Sequence, residues 1–219
     1  MMDDRMFRSG GDAYPRPRRA LSGILLVVYV AVFLLEEIYV DNRLSRIQFV
    51  TSTFALSLDG LKQGYLWQLL TYQFMHGGYV HLLFNCLVLH YVGRTVETLL
   101  GRSAFVLVFF GGGLVGGLVQ CLTALLPGGV DVPVVGASGG LMALLGVICW
   151  QFWTQRLRLL IMFIIPVNLT GRSMLILLTI IDVGGALLLR DNIAHFAHLG
   201  GLYTGFLAMK YLFGRRYLG

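Results

Sequence analysis

Ala104-Phe-Val-Leu-Val-Phe-Phe-Gly-Gly-Gly-Leu-Val-Gly-Gly-Leu-Val-Gln-Cys-Leu-Thr-Ala-Leu-Leu126 contains no charged residue. About 20 such residues, rising 1.5 Å each in an α-helix, cross the ~30 Å hydrocarbon core of a bilayer. Similar runs lie on both sides of this one: Ala20–Tyr39, apolar except for Glu36 and Glu37 near its end, then Tyr79–Val92, Val134–Thr154, Ser173–Leu189 and Ile193–Phe213. Together they predict six spans, the second and fifth short at their apolar cores. Lipid offers unpaired backbone groups no partner, so the spans must be helices and the fold class is an all-α membrane bundle.

Composition agrees. The chain has 219 residues, 57% hydrophobic and 13% charged, with a mean hydropathy of +0.75. Soluble domains carry about 25% charged residues. This balance excludes a disordered or nucleic-acid-binding chain despite a net charge of +6, and the basic excess is read against the membrane. Cys86, Cys121 and Cys149 all fall in apolar runs without metal-ligand spacing and are expected to be packing residues.

Residues 1–19 form a polar tail with the run Tyr14-Pro-Arg-Pro-Arg-Arg19, residues 20–213 the membrane domain, and 214–219 a short second tail. No small-x-small cleavage site follows the first apolar run, which argues against a signal peptide. Asp41–Gly78 is a long connection with an amphipathic stretch at Leu61–Met75. Arg156–Gly171, broken by Pro166 and Asn168, is expected to be an interfacial connection. Of the 17 Lys and Arg residues, Arg43, Arg46, Lys62 and Arg190 fall on one side of the six spans and all the rest on the other. The positive-inside rule then predicts that both termini are cytoplasmic, in a cell-membrane protein.

With that topology, polar residues of three helices share one depth near the outer face. His81 and Asn85, at i and i+4, occupy one face of the second span. Gly136-Ala-Ser-Gly139 opens the fourth span, and His195 and His198 open the sixth. A lone membrane Ser usually bonds its own helix backbone. Ser138, however, sits among Gly136, Gly139 and Gly140, which leave bare backbone at a helix N-terminus, suited to an oxyanion site. A lone membrane His is more often structural, yet Gly201 and Gly205 follow His198 at i+3 and i+7 and would let another helix approach closely. Buried and neutral, His198 could act as a base toward Ser138. No motif supports Asp182 or Asp191 as an orienting carboxylate, so a dyad without a third member is expected. His81 and Asn85 are either interhelical glue or oxyanion donors, while His76 and His195 lean to structural roles. Without HExxH or a convergent carboxylate or thiolate, neither metal nor cofactor is expected. The glycine run Gly111–Gly117 lacks the GxxxxGK pattern and reads as tight packing.

These strings together resemble the rhomboid family: Trp67-Gln-Leu-Leu-Thr-Tyr-Gln-Phe-Met-His76, His81-Leu-Leu-Phe-Asn85, Glu97-x-x-x-Gly101, Gly136-Ala-Ser-Gly139 and Ala194-His-Phe-Ala-His-Leu-Gly-Gly201. The resemblance covers about residues 20 to 213. It implies six helices around a short central fourth helix, a first outer loop lying partly in the membrane, and cleavage of other proteins' transmembrane segments, with a preference for single-pass ones. It also implies Ser138 as nucleophile, His198 as base, and His81 and Asn85 as oxyanion donors. Two positions depart from the pattern: Gln68 stands where the family often has Arg, and Met142 where it often has an aromatic residue. The rival reading is a non-catalytic rhomboid-like protein that binds membrane clients, and it is weighed against the retention of both Ser138 and His198. A small transporter, the third reading, would need charge near the bilayer midplane, for which Asp182 is the obvious residue.

Overall fold

The computed structural model describes residues 20–39, 43–161, 165–189 and 193–213. The polar tails at 1–19 and 214–219, together with Arg190 and Asp191, lie outside the described residues.

The chain forms an all-α membrane bundle with one small β-hairpin. In order, α1 is Leu21–Tyr39, α2 Arg43–Thr53, α3 Leu58–Lys62, α4 Gln68–Thr71, α5 Tyr79–Val88, α6 Arg94–Leu100, α7 Arg102–Thr123, α8 Ser138–Gln151, α9 Gly171–Leu188 and α10 His195–Ala208. The π turn Leu89–Gly93 joins α5 to α6, and another at Met209–Phe213 extends α10. Six helical segments therefore correspond to the six apolar runs. Three of them, α1, α7 and α9, are long and apolar enough by themselves to cross a membrane.

Helix boundaries differ from the sequence expectation at two places that matter for the site. The second segment does not end at Val92 but runs on to Leu100. Gly93, which looks like a stop, is small because α1 packs there: a Cβ on it would lie 2.8 Å from Leu89 and 3.3 Å from Ser22. The fourth helix is shorter than its apolar run. Val134 instead pairs with Leu56 of the connection between α1 and α5 through reciprocal backbone bonds of 2.8 and 2.9 Å, so helix begins only at Ser138. At 1.5 Å per residue α8 is about 21 Å long, less than a bilayer core. The core surrounds it, with Phe105, Phe109, Leu144, Val147, Cys149 and Leu202 among its fully covered members.

Arg156–Gly171 is not a plain interfacial connection. Arg156–Ile161 and Ile165–Thr170 form a two-stranded antiparallel hairpin in which Pro166 pairs with Leu160. In a two-stranded ribbon each strand has a free edge, where a residue without an N–H costs no ladder bond. The amphipathic stretch 61–75 likewise breaks into short turns, α4 and Tyr72–Phe74.

Buried polar groups tie the bundle together. The carboxylate of Glu97 on α6 accepts the backbone N–H groups of Leu21 and Ser22 at 2.7 and 3.0 Å and the Ser22 hydroxyl at 2.9 Å. It thus satisfies orphan donors at the α1 N-terminus, where negative charge is favoured. The connection between α1 and α5 is anchored by the Trp67 indole, which donates to the Thr53 carbonyl at 2.8 Å, and by the Asp131 carboxylate, which accepts from the Leu58 and Asp59 N–H groups. Gln68, where the resemblance led one to expect Arg, is buried against Gly60. The three cysteines are free thiols, two of them buried.

Candidate active site

Ser138 is placed by the turn before it. Gly136 has φ of +120°, a region that L side chains rarely adopt, and its N–H donates to the Tyr72 carbonyl at 2.8 Å. This turn fixes Ser138 as the first residue of α8, where backbone N–H groups have no intrahelical acceptor.

His198 reaches Ser138 because α8 and α10 touch backbone to backbone. A Cβ on Gly201 would strike the carbonyl of Gly139, one on Gly205 the carbonyl of Ala143, and one on Gly146 the carbonyl of Leu202. Gly139 itself has Gly113 Cα at 3.5 Å and the Ala197 carbonyl at 3.6 Å from its Cβ position, in ordinary contact. Only at this separation do the side chains meet: His198 Nε2 lies 2.9 Å from Ser138 Oγ.

Asp182 requires a correction. Instead of leaving His198 without a carboxylate, α9 brings Asp182 Oδ1 to 3.0 Å from His198 Nδ1 and 2.9 Å from His195 Nδ1. The two histidines lie 16 and 13 positions away on another helix, a tertiary pairing that no local motif records. The available signal was the intramembrane Asp itself, since ionisable residues there usually serve a function. His195 is buried, as a structural residue would be, but it is part of this cluster. Among the described residues, Asp182, His195 and His198 offer three ligand atoms within 4.8 Å of one another. Hydrogen bonds already account for all three, with two imidazole nitrogens on one carboxylate oxygen.

His81 and Asn85 of α5 converge on Gly136. A Cβ there would lie 2.7 Å from His81 Nε2 and 3.7 Å from Asn85 Nδ2, so the missing side chain lets the His81 ring and the Asn85 amide pack directly against the Ser138 turn. The Gly77 N–H donates to His81 Nδ1 at 3.4 Å. A nitrogen that accepts carries no hydrogen, so the neutral ring has its proton on Nε2, pointing at Gly136. Asn85 is buried and its Nδ2 has no partner among the described residues. Buried amide donors are rarely left unpaired.

His76 is buried with its Nδ1 on the Phe74 carbonyl at 3.2 Å, and its ring is edge-on to Tyr29 and His81 at 5.3 Å from each. Met142 is a buried core residue, and the His195 ring stands edge-on to His198 with centroids 6.3 Å apart.

Residues 63–215 match the family model described as the Rhomboid domain. Over 165 residues the chain is 31% identical to Rhomboid protease GluP of Bacillus subtilis, covering 72% of this chain and 30% of GluP. To Putative rhomboid protease YdcA of the same organism it is 32% identical over 150 residues, covering 68% of each. RHOMBOID-like protein 5 of Arabidopsis thaliana is 32% identical over 160 residues, covering 71% of this chain and 48% of that protein. The chain thus spans less than two thirds of the length of GluP and of RHOMBOID-like protein 5, and about that share of YdcA.

Proposed function

The chain belongs to the rhomboid family, and on that premise we propose that it is an intramembrane serine endopeptidase that cleaves transmembrane segments of other proteins. The observation that carries this reading is the 2.9 Å contact between Ser138 Oγ and His198 Nε2, set beside His81 Nε2 and the buried Asn85 Nδ2, the latter without an acceptor among the described residues.

The chemistry follows from those positions. Ser138 Oγ attacks the scissile carbonyl carbon while His198 Nε2 takes its proton. The carbonyl oxygen becomes an anion, stabilised by His81 Nε2–H, Asn85 Nδ2–H and the backbone N–H groups at the start of α8. Collapse breaks the C–N bond, and His198 returns the proton to the departing amine. Water from the outer face then attacks the acyl-Ser138 ester, with His198 again accepting and returning a proton, and releases the second product. Each group is used as drawn, with no cofactor and no metal.

The membrane domain runs from residue 20 to residue 213, with both termini on the cytoplasmic side of the cell membrane and the first outer connection partly embedded. Its partners are single-pass membrane proteins and the surrounding lipid. A non-catalytic client-binding role would not require a nucleophile and base within hydrogen-bond distance. The deciding experiment is cleavage of a single-pass substrate in liposomes: the wild type should cut it and Ser138→Ala should not, and cutting by both would end the reading.

A further inference from the structure

We infer that Asp182 positions the catalytic base and that His195 in turn positions Asp182, so that the Ser138–His198 pair is extended by a carboxylate shared between two imidazoles. This inference rests on the proteolytic reading of Ser138 and His198.

The argument begins with one face of α9. Thr179, Asp182 and Gly185 stand at intervals of three and all meet α10. Thr179 Oγ1 lies 3.0 Å from the Tyr203 hydroxyl, and Asp182 Oδ1 lies between the two histidines. Gly185 has no side chain because the His195 ring occupies the space its Cβ would take. The seat of the His195 ring over Gly185 therefore sets how α9 meets α10 beside the carboxylate. Asp182 is 4% exposed, and an ionised carboxyl at membrane depth persists only where donors satisfy it.

One oxygen with two imidazole nitrogens determines where the protons are. A carboxylate oxygen only accepts, so both Nδ1 atoms carry hydrogen. A neutral His198 with hydrogen on Nδ1 has its lone pair on Nε2, 2.9 Å from the Ser138 hydroxyl. That tautomer can take the serine proton; the other cannot. When the proton arrives, the imidazolium forms 3.0 Å from a negative oxygen, which stabilises it. His195 never touches Ser138. Seated over Gly185, it supplies the second donor, holds the carboxylate in one rotamer and leaves His198 as the other partner.

The test is steady-state cleavage of a transmembrane substrate by the full chain in liposomes, measured from acid to neutral pH. Asp182→Asn keeps the shape and removes the charge. Its kcat should fall on the order of 10²- to 10⁴-fold with KM within about twofold, the size expected when a base loses its orienting carboxylate. The acid limb of kcat/KM should move to lower pH, because an imidazolium without a neighbouring anion gives up its proton more easily. His195→Gln should lower kcat on the order of 10-fold and move the limb in the same direction. Thr179→Val breaks another α9–α10 contact without touching the cluster, and should leave both kcat and the limb within about threefold of wild type. Wild-type kcat and an unmoved limb in Asp182→Asn would overturn the inference. If that variant does not insert, the same result in His195→Gln would overturn it. Ser138→Ala in the same assay separates the two readings: wild-type cleavage by Ser138→Ala sinks the proteolytic reading, whereas an inactive Ser138→Ala beside a fully active Asp182→Asn sinks only this one.

Discussion

Gly201 on α10 lies so close to the carbonyl of Gly139 on α8 that a single methyl group would not fit between them. The whole site depends on that contact, because His198 and Ser138 are carried by these two helices and meet at 2.9 Å.

Gly201→Ala should therefore act through distance. The methyl must push α10 from α8, since the group it meets is backbone and cannot rotate away. Cleavage should drop by on the order of 100-fold, the loss that about 1 Å of misplacement causes, and the protein should melt at lower temperature, as overpacked cores do. Gly184→Ala, where a Cβ meets nothing within 4 Å, is the control and should retain activity. Equal activity in Gly201→Ala and wild type would show that the close approach does not set the Ser138–His198 distance.

Asn85→Ala removes a donor that has no partner among the described residues. Its loss costs the folded state little hydrogen bonding but should lower kcat by on the order of 10²- to 10³-fold, the effect of one oxyanion donor. His81→Ala should behave similarly. If both variants cleave at the wild-type rate, the two residues are packing groups and the oxyanion assignment fails.

Much of this was legible in the sequence, for identifiable reasons. Uncharged runs reported the helices because lipid demands them. Ser138 and His198 were marked by the glycines around them, whose reason is now visible: Gly136 turns the chain at φ +120° and leaves room for His81, while Gly201 and Gly205 admit the α8 backbone. Asp182 was not legible as part of the site. Its partners are on another helix, and an isolated Asp in an apolar run gives no direction. The hairpin at 156–170 and the continuation of α5 through Gly93 were missed for a related reason. Pro166 and Gly93 look like interruptions until the free strand edge and the neighbouring α1 are known.

The asymmetry of Lys and Arg predicts that both termini are cytoplasmic. A reporter that is active only in the cytoplasm, fused after Gly219, should be active. An inactive cytoplasmic reporter together with an active external one would invert the topology and place the Ser138 end of α8 on the cytoplasmic side.

Substrate choice should follow helix stability. A transmembrane helix ties its carbonyls into intrahelical bonds, so a segment must unwind before it can present one to Ser138. Gly and Pro weaken a helix interior by about 1 and 3 kcal/mol relative to Ala. Substrates should therefore carry such residues near the outer end of their span, with a small residue at the cut. Replacing those Gly or Pro residues by Leu in a cleaved substrate should slow turnover at least 10-fold. A constant rate across the series would mean that unwinding does not limit the reaction.

The central claim is that Ser138 is a nucleophile activated by His198. A fluorophosphonate probe, followed by peptide mass spectrometry of the membrane-embedded protein, reads this without any substrate. The wild type should carry the phosphonyl adduct on the peptide that contains Ser138. His198→Ala should label on the order of 10³-fold more slowly or not at all, because nucleophile and base act as a unit. An adduct on another residue, or equal labelling of wild type and His198→Ala, would contradict the account.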